Sequence, residues 1–500
     1  MKKPNDILTL KMAGIFSIIY FALILALLPI YFDVNIYTAM IRAKGVCYLF
    51  IAAVMGIMLL ITFVTSVVRK EPPIRYTDQR RSPMDIAMLA FGIAVIISFL
   101  FSENKKVAYF GTGGFHVGTL SIVTLIVFYF FVSRNLCGSE RHWDLIIVLN
   151  TFIFLWVVLD SVSTDFFGVR TKLGNQKLQY FGSLGQMDSV SAYLCMILPI
   201  VIVFFLNQKK MQFWTVACVL FGLTAFTGIQ TDGVYIGVAV CAIFLIPYAL
   251  KDTLRLQRLL WLGLIWGVAI TYYSVFSVVA PDRIGADSGV SGTLIHYWIG
   301  VVMIVFCGLL LIWIEKKRVL PSHKVISILS KVASIGLIVV IAVFLLHGTV
   351  NLIQGDIGWG NGRGGIWLGA IHLFEAYNPL QKLFGLGMTA ASTDLSYFAN
   401  ELLQWNNVIV ANAHNDFLEY LISTGIVGLV TYTATWVVPI VEYVKSKKNG
   451  KEWSVAKMAY FMALMAYMGQ SIVGNPYSLS VPIVYLIFAL YRNEDFCESL

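Results

Sequence analysis

Uninterrupted apolar positions fill the stretches near 12–31, 46–68, 84–102, 117–133, 143–164, 188–206, 212–230, 232–249, 258–279, 293–314, 328–347, 416–443, 453–472 and 478–491. Each can cross a hydrocarbon core of about 30 Å as a helix. None carries the alternating polar residues of an outer-membrane strand, and a chain in lipid must satisfy its backbone groups within helices or a closed barrel. The pattern predicts an all-α fold, a polytopic transmembrane helical bundle of about 12–14 spans. The lower number applies if the short turns around Gln230 and Asn475 do not separate full spans. Residues 1–347 then hold spans one to eleven, 348–414 form a large connection, and 415–500 hold the last three.

Composition agrees with this reading. Of 500 residues, 58% are hydrophobic and 13% charged, with a mean hydropathy of +0.79, so the bilayer takes the place of a soluble core. The apolar run after Lys11 lacks a small-residue cleavage site and reads as an uncleaved first span. The seven cysteines lie mostly inside apolar runs and form no CxxC pair, which argues against a disulfide framework or a zinc site.

The net charge of +9 does not call for nucleic acid, because its distribution sets orientation. Lys and Arg concentrate in alternate connections, among them Arg69–Arg81, Lys251–Arg258, Lys316–Lys324 and Lys445–Lys451. This predicts a multi-pass protein of the bacterial cytoplasmic (inner) membrane with cytoplasmic N- and C-termini. The connections on that face carry no G-x-x-x-x-G-K-[ST] phosphate loop. The opposite face holds longer connections, and 348–414 exceeds the usual length of a structureless loop.

Within it, Gly358 to Gly365 reads GWGNGRGG and runs into IWLGAIHLFEAYNP. Trp367, Ala370, Ile371 and Phe374 recur at helical spacing up to Pro379, predicting a short amphipathic helix in the membrane interface. Glycines before a helix allow backbone N–H groups to converge at its positive end, and Arg363 can hold two phosphate oxygens, so the turn is a candidate phosphate cradle. The equal alternative is a solvated arginine beside a tight glycine turn. The loop closes with ANAHNDFLEYL, where His414, Asn415, Asp416 and Glu419 cluster at the start of a span. His414 could exchange a proton near neutral pH or simply cap a helix. Glu419 is costly in lipid and is expected to face protein or water. Gln186 with Asp188, Thr231 with Asp232, and Gly385 with Gly387 read individually as caps or turns, but all fall on the same face as Arg363 and His414.

Together these residues resemble the O-antigen ligase and O-antigen polymerase family of bacterial membrane glycosyltransferases. The resemblance rests on Arg363 followed by Trp367, the G-x-G turn at Gly385 and Gly387, and H-N-x-x-L at His414, Asn415 and Leu418; Gly182–Asp188 and Thr231–Gly233 look like two further family segments, giving coverage of roughly 180–475. Gln186 and Asp188 stand where asparagines are usual, and Asp232 where many members carry an arginine. A second cation could then come from Arg170, Lys172, Lys177 or Arg283.

The resemblance implies a glycosyltransferase type C-like architecture with short helices in the large extracytoplasmic loop. It also implies transfer of undecaprenyl-diphosphate-linked oligosaccharide to an acceptor glycan, with no nucleotide sugar and no cofactor. Arg363 would stabilise the leaving diphosphate, while His414 would orient or deprotonate the acceptor hydroxyl or contact the phosphate. Trp367, Asn415, Glu419, Gln186, Asp188 and Asp232 would line the substrate. A D-x-D pair is absent from that face, so no metal is expected. A flippase and a chain-length regulator are the partners such a system implies. Polymerase and ligase differ in acceptor, and a capsular or exopolysaccharide polymerase is the preferred expectation. The competing class, a non-enzymatic transporter or flippase of lipid-linked oligosaccharide, predicts charged residues along a path through the bilayer.

Overall fold

The computed structural model describes residues 7–33, 39–74, 82–111, 116–136, 139–165, 168, 180–284, 289–317, 323–354, 356–360, 362–404 and 410–498. The fold is all-α: α1 (Leu8–Ile30, with a π-turn at Leu23–Leu27), α2 (Ala39–Arg69), α3 (Pro83–Phe101), α4 (Lys105–Phe110), α5 (Thr119–Asn135), α6 (Trp143–Ser161), α7 (Met187–Asn207), α8 (Phe213–Gly228), α9 (Asp232–Ala249) and α10 (Thr253–Val279). There follow α11 (Gly289–His296), α12 (Ile299–Lys317), α13 (His323–Ile353), α14 (Arg363–Ala376), α15 (Pro379–Phe384), α16 (Ser392–Leu403), α17 (Asp416–Lys448), α18 (Val455–Ser471) and α19 (Ser480–Glu498). Every apolar run has its helix. Among the described residues ten helices are long and apolar enough to cross a membrane, and α5 and α8 are shorter apolar helices.

A helix that is apolar all round sits either at a protein centre or against lipid. α7 takes the first place, with 94% of its apolar window buried, while α13 takes the second, with 6%. α18 and α19 join α7 in the centre, and α18 packs along both α7 and α9. The only described strands pair as a small antiparallel hairpin, β1 (Tyr180–Phe181) with β2 (Gly185–Gln186), which delivers the chain to the start of α7.

Two expected spans are not single helices. The run 293–314 breaks between α11 and α12 at Trp298, whose φ is +52°. Beyond the break, Gly300 passes so close to α10 that a Cβ there would stand 2.5 Å from Gly267 O. The run from 416 bends at Gly425, where φ is +68° and ψ −170°, leaving a short segment Asp416–Thr424 before the long one. Carbonyls freed by the bend are taken up locally. Ile422 O accepts from Tyr377 Oη at 2.9 Å, and Ser423 O accepts from Gly387 N at 2.9 Å and Ser98 Oγ at 2.8 Å. The G-x-G turn thus has a packing role. A Cβ on Gly385 would stand 2.3 Å from the Ser423 carbonyl, and one on Gly425 2.4 Å from that of Leu383.

The 348–414 connection does contain short helices, α14 to α16. α14 buries Ile366, Trp367, Ala370 and Leu373 and packs against α16 and α17. Its packed face is therefore rotated from the expected one, and Ile371 is exposed. Pro379 opens α15, where a missing N–H costs nothing, behind an Asn378–Gln381 capping box.

Candidate active site

Arg363 is the first residue of α14 rather than part of the turn before it. The glycine-rich segment folds back on the helix start. Gly360 O, Trp359 O and Ile357 O accept from Arg363 N, Gly364 N and Gly365 N at 3.3, 3.0 and 3.0 Å, and Gly362 O accepts from Ile366 N at 3.1 Å. Glycine at 364 permits this, since a Cβ would stand 2.4 Å from Asp356 O. The expected cradle of free backbone N–H groups is therefore already filled by the loop's own carbonyls, and anion recognition falls to side chains.

The Arg363 side chain supplies such a group. Its Nη2 lies 3.6 Å from Asp188 Oδ1, beyond the 2.7–2.9 Å or so of a full charge-assisted hydrogen bond. Its Nε is buried and has no acceptor among the described residues. One turn along, the Trp367 ring meets Trp359 edge to face at 5.4 Å, and its Nε1 is likewise buried without an acceptor. Asp188 is placed by the β1–β2 hairpin, whose Gly182 N donates to Asp160 Oδ2 at 2.7 Å, and it lies buried in the first turn of α7.

His414 approaches from the far end of the large connection. Its φ of +49° is a left-handed conformation, held by its N–H donating to Asn412 Oδ1 at 3.1 Å. Asn412 Nδ2 is a third buried donor without an acceptor. The imidazole Nδ1 lies 3.1 Å from Asn475 Nδ2, which also donates to Tyr477 Oη at 2.9 Å; Tyr477 Oη in turn reaches Gln186 Oε1 at 3.5 Å. With Asn475 donating, Nδ1 accepts and the ring proton sits on Nε2. Burial pushes the imidazole down to about 4, with the Asp188 carboxylate raising it in part and the Arg363 guanidinium lowering it further. The ring is neutral at physiological pH and carries one N–H donor.

Other candidates are engaged differently. Asn415 caps α17, its Oδ1 accepting from Phe417 N and Leu418 N at 2.9 and 3.1 Å. Glu419 is buried, accepting from Ala413 N at 3.0 Å and Ser423 Oγ at 3.2 Å. Neither bond reaches the His414 ring; Glu419 acts on the turn that carries it. Asp232 Oδ1 accepts from Val290 N at 3.0 Å, tying the start of α9 to α11. Arg283 is exposed, and its carbonyl accepts from Ser163 Oγ. Arg170, Lys172 and Lys177 lie outside the described residues. Among the described residues no three His, Cys, Asp or Glu side chains group as a metal site.

Sequence reading missed Asn475 and Tyr477. Their signal was Asn-Pro-Tyr-Ser in the short connection before α19, which on spacing alone is only a turn.

An unpaired buried donor costs about 1–3 kcal/mol. Arg363 Nε, Trp367 Nε1 and Asn412 Nδ2 therefore favour a ligand rich in acceptor oxygens, with Asp188 available to take a proton or a hydroxyl. These features describe a polytopic membrane protein in which Arg363, Asp188 and His414 form a candidate site. Residues 296–433 match the family model described as O-antigen ligase. Over that span the chain is similar to the O-antigen ligase family. The matched span includes Arg363, Trp367, His414, Asn415 and Glu419, while Gln186, Asp188 and Asn475 come to the site from outside it. No curated protein matches the chain.

Proposed function

We propose that this protein transfers a glycan from an undecaprenyl-diphosphate donor to a hydroxyl of another saccharide on the outer face of the cytoplasmic membrane. The observation that carries the reading is the meeting of Arg363, Asp188 and His414 from three distant segments, with Arg363 Nε still lacking an acceptor. As the anomeric C–O bond to the diphosphate breaks, negative charge grows on the leaving oxygen, and a preorganised guanidinium stabilises it. The neutral His414 donates Nε2–H to the same anion or to the acceptor. Its Nδ1 is already an acceptor for Asn475, which leaves Asp188 as the base for the acceptor hydroxyl proton.

The transporter alternative predicts charges strung through the bundle; the pairing of Arg363 with Asp188, both of whose charges act on His414, favours chemistry instead. Of the two acceptors, we favour a second lipid-linked chain, making the protein a capsular or exopolysaccharide polymerase that works with a flippase and a chain-length regulator. The test is surface glycan analysis in a deletion strain. Loss of long chains with single units retained supports polymerase. Long lipid-linked chains that stay unattached indicate ligase, and unchanged glycan refutes both.

A further inference from the structure

Asp416 is two residues beyond His414 but occupies a separate environment. Its side chain is 1% exposed. Oδ2 accepts from Tyr432 Oη and Tyr467 Oη, both at 3.3 Å, while Oδ1 is buried with no partner among the described residues. The carboxylate opens on a cavity walled by Tyr420, Tyr432, Trp436, Tyr467, Tyr485 and Phe488, with Thr435 at its side. No Lys, Arg or His lines it. Glu419, three residues along, already spends its oxygens on Ala413 N and Ser423 Oγ.

A buried carboxylate without a counter-charge is costly. The two tyrosine hydroxyls relieve this cost only in part, through their bonds to Oδ2, and aromatic walls suit a cation. Tyr420 and Tyr432 lie with centroids 4.0 Å apart, and Trp436 stacks on Tyr467 at 5.9 Å. Size then selects the guest. The cavity volume is about 10 Å³, roughly that of a single water-sized occupant and too small for an organic ammonium.

We propose that Asp416 and this aromatic box bind one small monovalent inorganic cation, Na⁺ or K⁺. Asp416 Oδ1, Tyr432 Oη and Tyr467 Oη supply oxygen ligands, and the rings complete the enclosure. The ion joins the short segment of α17 before Gly425, which carries Asp416, to the segment after it, which carries Tyr432 and Thr435, and to α18 through Tyr467. It thereby fixes the short segment that follows His414, and the inference stands whether or not the transferase reading holds.

The test is thermal unfolding of the purified full chain in zwitterionic nanodiscs, in NaCl, KCl or N-methylglucamine chloride at matched ionic strength. The expected result is a saturable rise in Tm with Na⁺ or K⁺ that is lost in Asp416→Asn. Tyr467→Phe, which keeps the ring and removes one ligand, should weaken the apparent affinity about tenfold. Equal Tm in all three salts for the wild type would overturn the proposal and mean that the cavity holds a water or a proton only. If Asp416→Asn does not accumulate, the wild type against Tyr467→Phe decides: an unshifted salt dependence in Tyr467→Phe also overturns it.

Discussion

Asn475 Nδ2 stands 3.1 Å from His414 Nδ1, joining residues 61 apart in the chain. The contact fixes both the tilt of the imidazole and the nitrogen that carries its proton. Asn475→Ala is expected to lower kcat by about 10–100-fold, the scale on which a buried partner tunes a functional imidazole, with little change in KM. ¹⁵N spectra of the ring should show mixed tautomers in the variant and a single Nε2–H form in the wild type. A wild-type tautomer with the proton on Nδ1 contradicts this assignment.

His414 should remain neutral through the physiological range. Burial holds it near 4 in the folded protein, below the ordinary value of about 6.5. Its contribution to stability is thus present above pH about 6.5 and is lost as pH falls toward 4. An NMR titration resolved at His414 should show no transition near 6.5 in the ligand-free protein. Asp188→Asn should lower the midpoint further, and Arg363→Ala should raise it; shifts of opposite sign exclude the described electrostatics.

Asp188→Asn keeps the shape of the first turn of α7 but removes the proton acceptor. Turnover is expected to fall about 10²–10⁴-fold, the usual range for a general base, while donor binding persists. Near-normal turnover in this variant assigns the proton to another group.

The bend in α17 depends on two facing glycines. Gly425→Ala places a Cβ 2.4 Å from the Leu383 carbonyl at a backbone φ of +68°. The expected cost is about 2–4 kcal/mol from strain and overpacking together, seen as a lower Tm. An unchanged Tm means the bend is not required for folding.

What was legible in the sequence follows from what is local. Each of the fourteen apolar runs is helical, though 293–314 is split between α11 and α12, because lipid demands continuous hydrophobicity. Arg363 stood out because only it and Lys382 are basic in the large connection, and His414 because it opens an H-N pattern where the next span begins. The bend at Gly425 did not, since one glycine in a long apolar run looks like ordinary helix until Gly385 is seen packed against it. Asn475 reaches His414 only through the tertiary fold. The glycines before Arg363 admitted two conformations, and spacing could not show that the loop's carbonyls consume the N–H groups expected to hold an anion.

The central claim is that Arg363 and His414 serve one transfer reaction. The most direct measurement is glycan transfer from lipid-linked donor by the purified protein in proteoliposomes, comparing wild type with Arg363→Ala, Arg363→Lys and His414→Ala at equal membrane content. Both alanine variants are predicted to lose activity by about 10²–10³-fold. Arg363→Lys should recover only part of it, because lysine lacks the planar fork that holds two oxygens at once. Near-normal product from Arg363→Ala and His414→Ala would contradict the account.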